Sequence, residues 1–430
     1  MLVDLVRIAS VICFVMRIFV HDYAGHPFAV ELSRRLAAAG HHVLHGYAGA
    51  LQTPRGDLAR RLDDPVTFES HQVEMNPEYV QFKYSFLRRR KMEIEYGHRC
   101  ADLIREWRPD VVLSANTPTE AQEHILKATK SLGARFVLWV QDFYSIAVDK
   151  LVRKKIPVLG ALVGKYYKGM ERRQLVSSDH IVAITEDFVP IMAEEFGVNS
   201  SKVTTIPNWA PVENLPVISK DNAWSRELGI HDRFVYLYSG TLGMKHNPDL
   251  LLQLAVKHRE NPEVRVLVIS EGMGARWLME QKMALGLKNL HVLAYQPFNV
   301  MSQVMASGDV LIAVLEEDAG VFSVPSKVLT YLCAARPLLL AVPKVNLAAR
   351  IIQETSAGLT VAPSDMDGFL NAAETLRTDA ALGRHCSTQA RAYAEQTFDL
   401  GKITERFSTV LGIGAFSAPR QAAKLESAAS

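Results

Sequence analysis

The chain has 430 residues, a formal net charge of +2, and hydrophobic residues at 48% of its positions. This length exceeds one ordinary hydrophobic core, so two domains are expected, and the near-neutral charge argues against a dedicated nucleic-acid-binding protein. The cysteines Cys13, Cys100, Cys333 and Cys386 form no CxxC pair, which favours a reducing compartment. Since no group of histidines and cysteines has metal-ligand spacing, we expect neither a metal nor a cofactor.

The first twenty residues are largely apolar, but Asp4, Arg7 and Arg17 interrupt them. The longest uncharged run, residues 8–16, is too short to span a bilayer, which takes about 20 residues. No small-residue site typical of signal-peptide cleavage follows. We therefore expect residues 1–15 to be an N-terminal extension and the protein to be cytoplasmic.

Strands and helices alternate through the first half of the chain. Such alternation predicts a parallel sheet with helices on both faces, and ligands then bind beyond the carboxyl ends of the strands. The predicted strands lie at 18–20, from 43 onward, and at 110–114, 136–140, 180–184 and 203–206. The predicted helices lie at 27–39, 93–107 and 120–132.

Polar residues follow three of these strands and are the first candidates for a site. Asp142 comes directly after an apolar strand, where a carboxylate is costly unless it is used or paired. A functional carboxylate and a structural helix cap or ion pair both remain open for Asp142, and His21 and His26 are either substrate contacts or solvated loop residues. The candidates at these strand ends are His21, Asp22, Gly25, His26, Asn116, Gln141 and Asp142.

A proline-containing stretch divides the chain, and the α/β alternation then resumes. The strands predicted in the second half lie at 235–238, 264–269, 290–294, 310–314, 338–341 and 358–361, with late helices at 365–376 and 382–396. The sequence thus predicts two doubly wound α/β domains facing each other across a cleft. The predicted units are an extension (1–15), a first domain (16–209), a linker (210–223), a second domain (224–396), a helix returning to the first domain (397–413) and a disordered tail (414–430).

The loop after the strand at 235–238 has the pattern of an anion site. Gly240 and Gly243 allow the backbone to approach a ligand closely, and a helix begins near Asn247. The free amides and positive dipole end of such a helix receive negative charge. Lys245 adds a full positive charge. A phosphate-type ligand is favoured here over an ordinary β–α turn.

A second segment of the same kind begins near residue 320. Ser326 stands at a predicted N-cap, and Lys327 lies in the first turn of a helix that runs to about residue 335. Two helix starts from neighbouring strands, together with Lys245 and Lys327, suit a diphosphate and require no metal. The alternative for Lys327 alone is a solvated lysine.

Five motifs occur in a characteristic order and spacing: HIVAITEDF at 180–188, IPNWA at 206–210, YSGTLGMK at 238–245, ISEG at 269–272, and PSKVLTYL at 325–332 with Arg336-Pro337. In these motifs the chain resembles family 4 of the glycosyltransferases, which have two Rossmann-like domains in the GT-B arrangement. It is most similar to the branch that builds bacterial exopolysaccharide, capsule and lipopolysaccharide, including colanic-acid type enzymes. The resemblance covers roughly residues 16–407.

The resemblance implies transfer, with retention, of a sugar from a UDP- or GDP-linked donor to a glycan acceptor that is lipid-linked. It implies that Gly25, Gly240, Thr241, Lys245, Ser326 and Lys327 bind the donor diphosphate and sugar. It also implies that Glu271, Gly272, Tyr295, Gln296 and Pro297 lie at the nucleoside. His26, Gln141 and Asp142 would serve catalysis, and His21, Asp22 and Asn116 would lie on the acceptor side.

The chain departs from the family pattern at several positions. Phe322 and Thr330 occupy the places of two glutamates, Gln141 replaces a histidine, and Thr241 or its neighbour stands where an arginine is common. Alternative functions are therefore another GT-B enzyme, such as a nucleotide-sugar epimerase or a synthase of soluble glycosides, and a non-catalytic partner that binds nucleotide sugar.

Two basic segments, residues 83–99 and 150–173, carry interleaved aromatic and aliphatic residues. A basic amphipathic surface of this composition suits an anionic bilayer. We therefore predict peripheral contact with the inner face of the cell membrane, the alternative being a solvated basic face.

Overall fold

The computed structural model describes residues 15–49, 55–82, 85–115, 117–155, 157–243, 246–315, 317 and 326–413. Two candidate site residues, Asn116 and Lys245, lie outside the described residues. So do Phe322, residues 1–14 of the predicted extension and the predicted tail.

A seven-stranded parallel sheet forms the first domain. Its strands are β1 (Arg17–Asp22), β2 (His42–Ala48), β3 (Phe68–Val73), β4 (Val111–Ala115), β5 (Arg135–Val140), β6 (His180–Ala183) and β7 (Val203–Thr205). Their order across the sheet is β3-β2-β1-β4-β5-β6-β7. The strand β3 is absent from the predicted strands, because this edge strand buries only Phe68 and Val73 and so has no apolar run.

Helices cover both faces of this sheet. They are α1 (Pro27–Ala38), α2 (Tyr79–Phe82), α3 (Phe86–Trp107), α4 (Thr119–Ser131), α5 (Tyr144–Lys155), α6 (Pro157–Ser177) and α7 (Phe188–Phe196). The helix α3 begins seven residues before the predicted start at residue 93. Its first two turns are rich in arginine and lack an apolar period, and side-chain contacts with neighbouring helices hold them instead, including Arg90 with Glu120 at 3.1 Å.

A six-stranded parallel sheet forms the second domain. Its strands are β8 (Phe234–Ser239), β9 (Val264–Ile269), β10 (Leu290–Leu293), β11 (Val310–Val314), β12 (Leu338–Ala341) and β13 (Gly358–Val361). Their order is β10-β9-β8-β11-β12-β13. These strands match the predicted ranges to within a residue at each end, because each is a short apolar run bounded by polar turns.

The helices of the second domain are α8 (Ala223–Glu227), α9 (Asp249–Lys257), α10 (Met273–Leu285), α11 (Met301–Ser307), α12 (Ser326–Cys333), α13 (Leu347–Thr355), α14 (Met366–Thr378) and α15 (Ala380–Thr397). No helix within the described ranges of either domain is both long and apolar enough to cross a membrane.

The last described helix, α16 (Leu400–Leu411), packs against α1 and β5 of the first domain. Arg135 of β5 donates a hydrogen bond to the carbonyl of Val410 at 3.1 Å. The ring of Phe407 lies 4.8 Å from that of Trp139 and 5.9 Å from that of Trp209, and the two tryptophans stack at 5.6 Å. The chain therefore crosses between the domains twice.

This aromatic cluster leads to a stability prediction. Replacing Phe407 with leucine keeps an apolar side chain but removes two edge-to-face contacts, each worth about 0.5–1.5 kcal/mol beyond area burial. We expect Phe407→Leu to lower the free energy of unfolding by about 1–2 kcal/mol, measured by urea denaturation followed through tryptophan fluorescence. A change below about 0.3 kcal/mol would show that α16 is not held by this cluster. Val345→Ala, at an exposed position, serves as the control.

Each sheet has one point where the strand order reverses. In the first sheet it lies between β1 and β4, and in the second between β8 and β11. Parallel sheets bind ligands outside the carboxyl ends of the strands at such points. The residues that follow these four strands therefore define two candidate crevices.

Candidate active site

In the second domain, Gly240 lies at the reversal point, directly after β8. Its φ of +140° is a conformation that residues with a side chain rarely adopt. A Cβ atom at Gly240 would also lie 2.9 Å from Cε of Lys327, which belongs to the first turn of α12. The structure therefore brings two predicted donor-site residues into direct contact.

Lys327 is held in this position by Tyr238. Its Nζ donates a hydrogen bond to the Tyr238 hydroxyl at 2.6 Å and lies 4.2 Å above the centre of the Tyr238 ring. Burial lowers the pKa of the Lys327 ammonium to about 7. Since no acidic partner neutralises it among the described residues, this half-buried cation is placed to gain from a bound anion.

Two tyrosines that the sequence analysis did not single out fix the Gly240 loop. The Tyr331 hydroxyl accepts from the Ser239 amide at 2.8 Å and donates to the Ser239 carbonyl at 2.9 Å. The Tyr238 hydroxyl donates to the carbonyl of Thr241 at 2.7 Å. Tyr238 and Tyr331 lie within the motifs at 238–245 and 325–332, which is the signal that could have identified them.

The turn after β9 packs against the same loop. Gly272 precedes α10 with a φ of +107°, and the Gly274 amide donates to the Leu242 carbonyl at 3.0 Å. A Cβ at Gly274 would lie 2.6 Å from that carbonyl oxygen, so a larger residue would push the loop away. Glu271 is exposed on this turn, beside the Gly240 loop.

The predicted nucleoside residues after β10 divide into two groups. The Tyr295 hydroxyl lies 3.0 Å from Oγ1 of Thr241 and so joins the Gly240 loop. Gln296 instead accepts a hydrogen bond from Nε1 of Trp224 at 3.1 Å and donates to the Ala294 carbonyl. Its amide is thus engaged within the protein, and the exposed Pro297 begins the short turn at 298–300.

The start of α9 differs from the predicted anion site. The Gly243 amide donates to Nδ1 of His246 at 3.1 Å, so it is not free for a ligand. The helix begins at Asp249, whose negative charge already lies at its positive end. On the other side of the crevice, α12 begins at Ser326, which is exposed. Among the described residues, positive charge at this crevice comes from Lys327.

In the first domain, Asp22 and His26 form a pair at the reversal point. Asp22 ends β1 and is fully buried, while His26 immediately precedes α1 and retains 26% exposure of its side chain. Nδ1 of His26 lies 3.0 Å from both carboxylate oxygens of Asp22, and the His26 amide also donates to that carboxylate. Gly25, with a φ of +75°, makes the turn between them.

Asp22 and His26 each stabilise the charged form of the other. Burial alone would lower the pKa of His26, but the charge of Asp22 and its hydrogen bond outweigh this effect, so the pKa is raised above its ordinary value. Burial would raise the pKa of Asp22, yet His26 holds it below its usual range. An imidazolium with Nδ1 bound to a carboxylate presents its other nitrogen as a hydrogen-bond donor.

His21 was expected to lie in a loop, but the structure places it within β1. The strand β1 continues two residues beyond the predicted end, and His21 is fully buried. Its Nδ1 lies 2.9 Å from Oγ1 of Thr117 and its Nε2 lies 2.8 Å from the Tyr96 hydroxyl. Burial lowers its pKa to about 4, so His21 is a neutral structural residue beneath the crevice.

Gln141 and Asp142 follow β5. The amide of Gln141 accepts from Nδ2 of Asn208 at 2.5 Å and so ties the strand end to the motif at 206–210. Asp142 is exposed, and no partner for its carboxylate is found in the described part of the chain. Desolvation by the surrounding protein nevertheless raises the pKa of Asp142 above its ordinary value. Within the described ranges, no group of three or more potential metal ligands occurs.

The whole architecture has solved counterparts. The Anabaena protein Alr3699/HepE, crystallised with UDP and glucose, superposes with a TM-score of 0.66 at 15% identity, covering 92% of this chain and 99% of that one. WaaG, a glycosyltransferase involved in lipopolysaccharide biosynthesis, superposes with a TM-score of 0.65 at 18% identity and the same coverage. At these identities the likeness concerns the fold. Two parallel-sheet domains with crevices at their reversal points define the class as GT-B.

The family follows from the sequence profiles. That of Glycosyltransferase Family 4 matches residues 27–214, and that of Glycosyl transferases group 1 matches residues 233–379. The chain belongs to family 4 of the GT-B glycosyltransferases. It is 24% identical over 310 residues to WcaI of Escherichia coli (strain K12), which bears the name "Putative colanic acid biosynthesis glycosyl transferase", covering 70% of this chain and 74% of that protein.

Proposed function

We propose that this glycosyltransferase moves a hexose from a UDP- or GDP-linked donor to a lipid-linked glycan, with retention at the anomeric carbon, in the synthesis of exopolysaccharide, capsule or lipopolysaccharide. The observation that carries the proposal is the contact between Lys327 and Gly240 at the reversal point of the second sheet. The similarity to WcaI supports the biosynthetic setting, and the nucleotide bound by HepE supports the donor class.

The second domain would bind the donor. The diphosphate lies against the backbone of Gly240 and Thr241, with the Lys327 ammonium beside it. Glu271 and Tyr295 border the nucleoside. As the sugar–phosphate bond lengthens, negative charge builds on the leaving diphosphate, and removing one preorganised donor from such a site commonly costs about 3–4 kcal/mol of transition-state stabilisation.

The first domain would complete the site from the opposite side of the cleft. His26, held as a cation by Asp22, donates a hydrogen bond to the departing diphosphate. The acceptor hydroxyl attacks from the face that the diphosphate leaves, and its proton passes to a diphosphate oxygen. Gln141 and Asp142 orient the acceptor, and no metal is needed for these steps.

Ligand-induced stabilisation tests the donor assignment. A ligand present at 100 times its dissociation constant stabilises the folded state by about 2.7 kcal/mol. We expect UDP- or GDP-sugars to raise the melting temperature of the wild type and of Lys257→Met, an exposed lysine variant of the same domain, but not of Lys327→Met. If no nucleotide sugar stabilises the wild type, the proposed donor class is wrong.

The departures at Gln141 and Thr330 favour a second candidate, a partner that binds nucleotide sugar without turnover. Thr330 stands where the family pattern has a glutamate, and in the structure it lines a small hollow with Leu215 and Met305. Slow release of free nucleotide by the purified protein supports an enzyme, whereas tight donor binding without any release supports the non-catalytic partner. If free nucleotide is released only when a lipid-linked acceptor is present, the reaction is the proposed transfer and not an epimerisation.

The location that fits this reaction is the cytoplasmic face of the membrane. Lipid-linked acceptors are confined to a bilayer, and the basic surfaces of α3 and α6 would attract its anionic lipids at about 1 kcal/mol per charge near the surface. We expect the protein to sediment with vesicles containing 30% phosphatidylglycerol more than with neutral phosphatidylcholine vesicles. Equal sedimentation with both would contradict peripheral binding by charge.

A further inference from the structure

Arg55 is a cation at the carboxyl end of β2 that the transfer steps described above do not use. Its Nη2 donates hydrogen bonds to the carbonyls of Ala48 at 2.7 Å and Gly49 at 3.3 Å, and the guanidinium lies 5.7 Å from the centre of the Tyr47 ring. The residue is half-buried, and its Nε is buried without a hydrogen-bond partner among the described residues. A buried donor without an acceptor is unusual in proteins and indicates a missing partner.

The charge of Arg55 is not neutralised by an ion pair. Arg61 of the same segment pairs with Asp57 at 2.8 Å, whereas no carboxylate pairs with Arg55 within the described part of the chain. Burial lowers the pKa of Arg55, and the charges of neighbouring groups, among them Asp22, offset this effect only in part. Both carboxylate oxygens of Asp22 already lie at 3.0 Å from Nδ1 of His26. A half-buried cation in this situation gains from a bound anion.

The segment that carries Arg55 packs directly on the active-site turn at Gly25. The Gly56 amide donates to the Gly25 carbonyl at 3.0 Å. A Cβ at Gly25 would lie 2.8 Å from Cδ1 of Leu58, so this segment and the turn are in van der Waals contact. Arg55 and His26 are therefore two cations beside one buried carboxylate, and this side of the first-domain crevice is complementary to a negatively charged group.

We propose that Arg55 binds a phosphate of the acceptor, the group that joins the lipid to the first sugar of a lipid-linked glycan. This inference rests on the transfer reaction proposed above and assigns a residue to its acceptor. The donor diphosphate is attributed to Lys327 in the second domain, whereas the described contacts of Arg55 lie within the first domain. A guanidinium has five N–H donors in a planar fork that matches phosphate oxygens, and among the described residues only those of Nη2 are used.

Binding of inorganic pyrophosphate tests this assignment without any sugar transfer. Pyrophosphate is titrated by calorimetry into the full-length protein in the presence of saturating UDP, which fills the donor site. We expect Arg55→Gln to bind pyrophosphate at least about tenfold more weakly than the wild type, as is typical for the loss of one hydrogen bond to a charged group. Glutamine removes the charge but keeps an amide that can donate to the Ala48 carbonyl.

Matched controls separate this role from a general effect of charge or folding. Arg60→Gln makes the same change at an exposed position of the same segment, and it should bind pyrophosphate as the wild type does. Arg55→Lys keeps the charge and should retain most of the affinity. A second measurement uses the wild type alone, in which pyrophosphate should protect Arg55 but not Arg60 from phenylglyoxal, as located by peptide mass spectrometry. This measurement decides the matter if Arg55→Gln does not fold.

Three outcomes would overturn the inference. They are unchanged pyrophosphate binding in Arg55→Gln, an equal loss in Arg60→Gln, and modification of Arg55 that pyrophosphate does not slow. If Arg55→Gln weakens the binding of UDP but not that of pyrophosphate, the cation serves the donor diphosphate and the acceptor assignment is wrong. Stabilisation of the wild type by nucleotide sugars is measured independently, so a failure of the proposed donor class would be seen separately.

Discussion

Lys327→Met is expected to lower kcat by about 100-fold or more while the protein remains folded. The change removes the cation that lies against Gly240, and loss of one preorganised electrostatic group from a transferase site costs about 10²–10³ in rate. Methionine retains the length of the side chain and its packing on Tyr238. Steady-state assays of nucleotide release measure the effect, with Lys257→Met as the matched control. A loss below threefold would remove Lys327 from the diphosphate site.

The pH dependence of UDP binding provides a second test of the role of Lys327. Burial lowers that pKa to about 7, and a bound diphosphate favours the charged form, which raises the pKa in the complex. Binding of UDP above pH 7 therefore takes up a proton, and the affinity falls by up to about tenfold per pH unit as the pH rises from 7. Calorimetry in buffers of different ionisation enthalpy detects the uptake. Lys327→Arg, which stays charged, should bind UDP without it.

His26→Ala is expected to lower kcat by about 100-fold, since removing one preorganised hydrogen-bond donor from a group that develops negative charge costs about 10²–10³-fold in rate. His26 must be protonated to donate to the leaving diphosphate, and Asp22 raises its pKa. At saturating donor, kcat should therefore be constant below the pKa of His26 and decline above it. A profile that instead rises with pH would make His26 a base.

Asp22→Asn separates this role from a structural one. Asparagine still accepts the hydrogen bond from the His26 amide but removes the negative charge, so the pKa of His26 falls. The decline of kcat should move to lower pH in Asp22→Asn and should be absent from the residual activity of His26→Ala. Unchanged profiles with uniformly reduced rates would indicate that the pair only supports the turn at Gly25.

The apolar pattern predicted the second sheet well because strands such as Val264–Ile269 and Val310–Val314 are buried on both faces and read as continuous hydrophobic runs. In the first sheet the same rule predicted the strands β4 to β7 to within a residue at each end, but it failed at β3 and at the end of β1. The edge strand β3 is polar, and β1 ends in His21 and Asp22 because β2 and β4 pair with it on both sides. Polar residues at a strand end were interpreted as a loop, although neighbouring strands can bury them.

The candidate site was also predicted only in part, because local sequence patterns indicate some of its residues and not others. Glycine turns and Lys327 could be identified locally, and the structure places Lys327 on Gly240. The glycines before α9 favour an anion site, but Asp249 in the first turn of that helix carries a charge that opposes an anion there. The hydrogen bonds between Tyr331 and Ser239 join residues 92 positions apart in the chain. They depend on tertiary packing, which a local sequence pattern does not predict. The pairing of the Asn208 amide with that of Gln141 likewise joins distant parts of the chain.

The return of α16 to the first domain has a consequence for synthesis on the ribosome. Domains generally fold in order as they emerge, but the face of Trp139 and Trp209 that Phe407 covers stays open until the final helix has been made. The aromatic surface of the first domain therefore stays uncovered while the whole second domain is translated. Nascent chains arrested before residue 400 should accordingly recruit chaperones through that surface, and chains released beyond residue 411 should not.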